Sequence, residues 1–377
     1  MSKPIPTMST TFLRSTKRLR SIGFSLLLLS LAALWGCQSS TSRLAYMGVP
    51  TANGIAAFRL NNDTGAFTPL VASPYTAGNS PGPVLIPPSG NFVYAANQTD
   101  NTISLFKIDP IVGSLSEVTP RTPTGLSPSA MVMNASGTFL FVLNAISASI
   151  SVYSVSAGTG ALTQVTGSPF QTAQNPVSMA ITPSGNFLYV VNADLASVFA
   201  YSIAGSGALQ QTTSSFQVGL GARGIAIDSG GKFVYVANSS DNTVSIMNIN
   251  SSTGALSQIP GSPFATGTAP ISITVHPSGL YLYIANLGSG NITAYSIDSS
   301  GFPTAITGQP FGAASQPVFI TSDPNGKFVY VVSQGAKTVA TFAVTTSNEN
   351  GATLGVLTST RSASTGTSPA VSLAITK

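Results

Sequence analysis

Side chains that carry chemistry are scarce in this sequence. It has one cysteine, Cys37, one histidine, His276, and two glutamates, Glu117 and Glu349. A lone cysteine allows no intramolecular disulfide. One histidine beside it leaves little material for a transition-metal site or a Ser-His-Asp triad, so neither a metal nor another cofactor is expected, and paired-carboxylate chemistry would have to be built from aspartates. Charged residues make up only 7% of the chain, and no long stretch shows the apolar period of an amphipathic helix. What is abundant is Gly (36) and Pro (25), set among Ser, Thr and Asn. That composition suits many short strands joined by tight turns.

The formal net charge of +5 and a pI near 9.4 suggest an anionic partner until the charges are located. Lys3, Arg14, Lys17, Arg18 and Arg20 all precede Cys37 and account for the whole excess. The remainder is close to neutral, so no nucleic-acid partner is expected.

The basic cluster Lys17, Arg18 and Arg20 is followed by an apolar run from Ile22 to Trp35. That run is short for a membrane span of about 20 residues and reads as a signal peptide over residues 1–36. Its end, Leu34, Trp35, Gly36, Cys37, resembles a bacterial lipobox. The resemblance implies cleavage before Cys37, a lipid on its thiol and a polar tether over residues 37–42. Buried acyl methylenes at about 0.8 kcal/mol each would anchor the chain durably. Gln38, where an Asp could stand, implies the outer membrane, on its periplasmic side or at the surface, rather than the inner one. The expected partner there is the membrane itself.

From residue 43 to 377 one unit recurs every 46 to 48 residues, marked by Gly90, Gly137, Gly185, Gly231, Gly279 and Gly326. Each glycine precedes a strand such as Phe92 to Asn97 or Phe233 to Asn238, apolar at both parities. Strands of that kind are covered on both faces. A preceding strand opens at Pro83, Pro128, Pro176, Ala222, Pro270 and Pro317, where proline costs no ladder bond. A third strand follows, then a glycine turn, then a fourth strand closed by motifs such as Gly167, Ser168, Pro169, Phe170. Four strands per unit is the pattern of a propeller blade. The all-β chain is therefore expected to form a seven-bladed β-propeller of four-stranded antiparallel blades. Its seventh blade would join the strands after Arg43 to a C-terminal first strand, Pro369 to Thr376, leaving no open edge.

The Phe-Val-Tyr-Val-Ala-Asn strand and the Thr-Gly-Ala-Leu turn resemble the YVTN-type propellers of the lactonase family related to 6-phosphogluconolactonase. The resemblance implies an Arg-His pair at the start of one inner strand and a Glu just after the following Asn. This chain has Arg223, then Gly224 where the His would stand, and Ser239 after Asn238 where the Glu would stand.

The loops joining fourth to first and second to third strands share one face. Arg223 interrupts a position expected to hold Val84, Ser129, Val177, Ile271, Val318 and Ala370 in the other blades, and at the channel mouth it could clamp a carboxylate or phosphate. Asn192, Asn238 and Asn286 open loops on that face and are candidate ligand residues beside it. His276 fills a slot held by Pro87, Asn134, Thr182, Asp228 and Asp323 elsewhere and is expected to serve the turn. Asp100 and Asp241, before Asn-Thr, are expected to bond nearby backbone. The leading expectation is a membrane-anchored binding or interaction scaffold in the cell envelope, with a carbohydrate, small molecule or protein as ligand on the inter-blade-loop face. The alternative is a lactonase hydrolysing a sugar or acyl lactone.

Overall fold

Strand-forming residues bounded by glycine and proline turns arrange themselves here into seven sheets. The computed structural model describes residues 1–2, 42–347 and 353–377, apart from the side chains of residues 213 and 214. Residues 3–36 of the expected signal peptide and the lipidation site Cys37 lie outside the described residues. Blades two to seven each begin with an innermost strand, at Pro81–Leu85, Pro128–Met133, Pro176–Ile181, Ala222–Ile227, Pro270–Val275 and Pro317–Ser322. Each then runs outward through antiparallel neighbours in sequence order. The second strands Phe92–Asn97, Phe187–Asn192, Phe233–Asn238, Tyr281–Asn286 and Phe328–Ser333 are buried at every residue. This is the physical meaning of their two-sided apolar pattern.

Blade one closes the ring. Its second and third strands, Ser42–Val49 and Gly54–Asn61, pair with each other, and the C-terminal Ala374–Ile375 pairs with Tyr46 and Ala45. The regular ladder is shorter than the expected Pro369 to Thr376. Beyond it the Val371 N–H donates to the Gly48 carbonyl at 3.1 Å and the Thr376 N–H to the Leu44 carbonyl at 2.9 Å. A side chain at Gly48 would put its Cβ 2.2 Å from the carbonyl oxygen of Gly82 in blade two, so the upper seam admits only glycine.

Two further details differ from the sequence expectation. The prolines that open the innermost strands align through Pro81, which faces Asn97 as Pro128 faces Asn144, so Pro81 replaces Pro83. The Gly-Ser-Pro motif interrupts the outermost strand instead of ending it, separating Leu162–Gln164 from Phe170–Gln171. The interruption has a use: the Ser168 hydroxyl accepts the Val152 N–H at 2.8 Å, and Ser262 accepts the Ile246 N–H at 2.9 Å. Each hydroxyl supplies the acceptor that the broken strand no longer provides.

Among the described residues, seven apolar clusters form the core. One of them joins Tyr330 and Val332 of blade seven to Ala45 and Met47 of blade one. Blades are latched by a repeated contact that uses both sequence motifs. The left-handed glycine of the turn between third and fourth strands sits against the first aromatic residue of the preceding blade: a Cβ at Gly254 would meet the Phe187 ring at 2.4 Å, and at Gly301 the Phe233 ring at 2.4 Å. The tyrosine two residues after that aromatic donates its hydroxyl across the same seam, Tyr94 to the Gly160 carbonyl at 2.7 Å and Tyr189 to the Gly254 carbonyl at 2.9 Å.

These buried phenols predict the alkaline limit of the fold. Desolvation raises Tyr46, Tyr94, Tyr189, Tyr235, Tyr283 and Tyr330 well above their ordinary pKa of 10.0. The unfolded chain then loses its phenolic protons first as pH rises. The contribution is complete below about pH 10 and is lost above it. The melting temperature should hold through the neutral range and fall steeply above about pH 10, less steeply in Tyr94→Phe. A melting curve unchanged up to about pH 12 would contradict this.

Candidate functional site

The innermost strands converge on an axial cavity of about 550 Å³. Register places one residue from each blade at the level of Arg223. They are Gly82, Ser129, Val177, Ile271, Val318 and Val371, which corrects the Val84 and Ala370 expected from sequence. Arg223 is exposed. Among the described residues it has no hydrogen-bond or ion-pair partner, and it is the one charged side chain lining the cavity. Met131, Met179, Ile225, Ile273 and Phe319 form much of the remaining wall.

Gly224 lines the cavity but holds no space for a side chain, since a Cβ there would lie 2.8 Å from the Ile271 carbonyl oxygen. The histidine that the family resemblance implies is thus replaced by a close approach of blades five and six. Gln98, on the loop after Asn97, also reaches the wall, whereas Ser239 does not.

Asn192, Asn238 and Asn286 are placed elsewhere. They are at most 1% exposed and do not line the cavity. The Asn238 amide donates to Thr243 and Ser245 at 2.9 Å each, and the Asn286 amide to Asn291 at 2.8 Å and Thr293 at 2.9 Å. Asn192 donates to the Gln174 carbonyl and accepts the Leu195 N–H. Each pins its loop from inside the blade, so the structure brings Arg223 to the cavity without the three asparagines.

His276 serves its turn on the opposite face. The Gly326 carbonyl, 2.8 Å from Nε2, requires a proton on that nitrogen, while the Ser278 N–H donates to Nδ1 at 3.2 Å. The equivalent Asp228 accepts the Lys232 and Phe233 N–H groups. Asp100 and Asp241 bond the backbone of Asn79 and Leu220, and these bonds from Asn79 hold the Asp100 carboxyl below its ordinary pKa. Among the described residues no group of three or more His, Cys, Asp or Glu could hold a metal ion. A shallower depression of about 520 Å³ at the edge of blades four and five, lined by Asn186, Gln210 and Thr253 among others, carries no charged side chain.

A closed ring of seven blades around one axial cavity defines a β-propeller. The matching family is described as "Lactonase, 7-bladed beta-propeller", over residues 37–181 and 168–369, and the chain belongs to it. No curated protein matches this sequence. Solved structures share the fold at low identity. A candidate 6-phosphogluconolactonase from Bacteroides fragilis is 22% identical with a TM-score of 0.75, over 90% of this chain and 99% of its own. The periplasmic gluconolactonase of Pseudomonas aeruginosa is 18% identical with a TM-score of 0.72, over 89% and 99%. Hydrazine synthase of Kuenenia stuttgartiensis, 15% identical with a TM-score of 0.59 over 79% and 94%, is similar too, so the ring alone specifies no reaction.

Proposed function

We propose that this propeller hydrolyses a lactone at the mouth of its axial cavity, with Arg223 as the group that meets the carbonyl oxygen. The supporting observation is an unpaired guanidinium on the cavity wall of a lactonase-family chain. Water adds to the lactone carbonyl carbon and the ring C–O bond breaks. The ring oxygen takes up a proton and the new carboxyl group releases one, so the products are a hydroxycarboxylate and a proton. Negative charge grows on the carbonyl oxygen as water adds, and a cation there stabilises that charge more than it stabilises the substrate.

No carboxylate or histidine lines the cavity among the described residues, so attack draws on solvent hydroxide. The expected kcat/KM therefore rises about tenfold per pH unit through neutrality without a plateau. Arg223→Ala should lower kcat/KM by about 10²- to 10³-fold, the range found for losing one oxyanion donor. Equal rates for parent and variant, both at the uncatalysed level, would remove the proposal.

A second reading, a scaffold that binds a carboxylate without turnover, is favoured by Gly224 and Ser239 at the implied His and Glu positions. Saturable, Arg223-dependent binding of hydroxy acids with no hydrolysis of their lactones would select it.

A further inference from the structure

The cavity wall also bears on which molecule fits. We infer that the ligand of Arg223 carries a single anionic or carbonyl head on an apolar body, an alkyl-substituted lactone and its hydroxy acid, and not a phosphorylated or polyhydroxylated sugar. This rests on the proposed site but extends it to a substrate class.

The first argument is charge. A sugar acid phosphate brings several negative charges, and the wall offers one cation. Each further anionic group would be desolvated without a partner, which is costly. The second is what surrounds the head. At the level of Arg223 the ring presents Val177, Ile271, Val318 and Val371, and below them Met131 and Phe319, all half-buried.

The third is the state of the polar groups. Three wall hydroxyls already serve the protein: Ser372 donates to the Gly82 carbonyl at 2.7 Å, Ser272 accepts the Ile320 N–H at 3.1 Å, and Ser129 donates to the Leu143 carbonyl at 3.4 Å. Two of these bonds tie neighbouring innermost strands, so part of the hydrogen-bonding capacity of these hydroxyls is already used by the ring. An alkyl chain asks nothing of them and gains from the apolar side chains around Arg223.

The test is calorimetric binding of butyrate, hexanoate and octanoate against gluconate and 6-phosphogluconate, using the full chain and Arg223→Gln. Affinity should rise about two- to fourfold per added methylene, following about 0.8 kcal/mol for a fully buried one. Arg223→Gln should weaken all three alkyl acids alike and leave the increment per methylene unchanged. A flat series, or gluconate or 6-phosphogluconate binding more tightly than octanoate, would overturn the inference. Hydrolysis of γ-decalactone and glucono-δ-lactone is followed separately. Turnover without chain-length dependence leaves the lactonase proposal standing and removes this one. A chain-length series without turnover does the reverse.

Discussion

Deletion of Pro369 to Lys377 is expected to abolish cooperative folding. The segment supplies the innermost strand of blade one, where Ala370 is fully buried and Leu373 is 5% exposed. Both pack in the cluster that joins blade one to blade seven, with Ile375 at its margin. Burial of Leu373 at about 2 kcal/mol, with half-buried Val371 and Ile375 at about 1 kcal/mol each, contributes roughly 4 kcal/mol. That is a large share of the stability of an ordinary domain, about 5 to 15 kcal/mol. The loss also uncovers the inner edge of Ser42–Val49, a template for pairing with another chain. Truncated protein should aggregate or melt without a cooperative transition by differential scanning calorimetry. Leu373→Ala, which keeps the backbone pairing, should fold and cost about 2 to 4 kcal/mol. A truncated chain with the parent's melting temperature would refute closure as the basis of stability.

The ring was legible because every blade repeats the same physical problem. An aromatic such as Phe187 needs a flat neighbour, and the left-handed Gly254 of the next blade provides it; both recur at fixed spacing, so the motif announces the interface in the sequence itself. Where the seam departs from the repeat, sequence reading slipped. Pro83 looks like the other strand-opening prolines, but the Gly82 carbonyl lies against Gly48 of the closing blade, and the strand opens two residues earlier, at Pro81. The C-terminal strand slipped for the same reason, its regular pairing narrowing to Ala374–Ile375 where Gly48 meets blade two.

One residue of the cavity wall was legible in the sequence. Arg223 stood out because a cation interrupted a small or apolar ring position, and the structure places it on the cavity wall. The asparagines could not be assigned from sequence, since an amide that fixes a loop and an amide that faces a ligand occupy the same position in the repeat. Only the bonds to Ser245 and Thr293 on the adjoining strands distinguish them. Equally invisible was the reason for Gly224, which lies in a neighbour nearly fifty residues away: the Ile271 carbonyl occupies the space a side chain would need.

The ion pair between Arg43 and Asp323 joins the first described strand to blade seven, 280 residues later in sequence. Their side chains are 11% and 4% exposed, so neither charge would be well hydrated alone. Removing one partner from a buried pair strands the other, a cost of about 3 to 5 kcal/mol, while replacing both with apolar residues of similar volume is often neutral or stabilising. Arg43→Met should therefore lower stability to urea by about 3 kcal/mol or more, and Asp323→Leu by a similar amount. The double variant Arg43→Met/Asp323→Leu should recover most of the loss, giving a coupling energy well outside the additive range of a few tenths of a kcal/mol. Simple addition of the two losses would mean that each residue acts through its own surroundings and that the pair does not fasten the ring. Recovery in the double variant would assign the pair to choosing the closing register, since Arg43 meets Asp323 only when the N-terminal strand has docked beside blade seven.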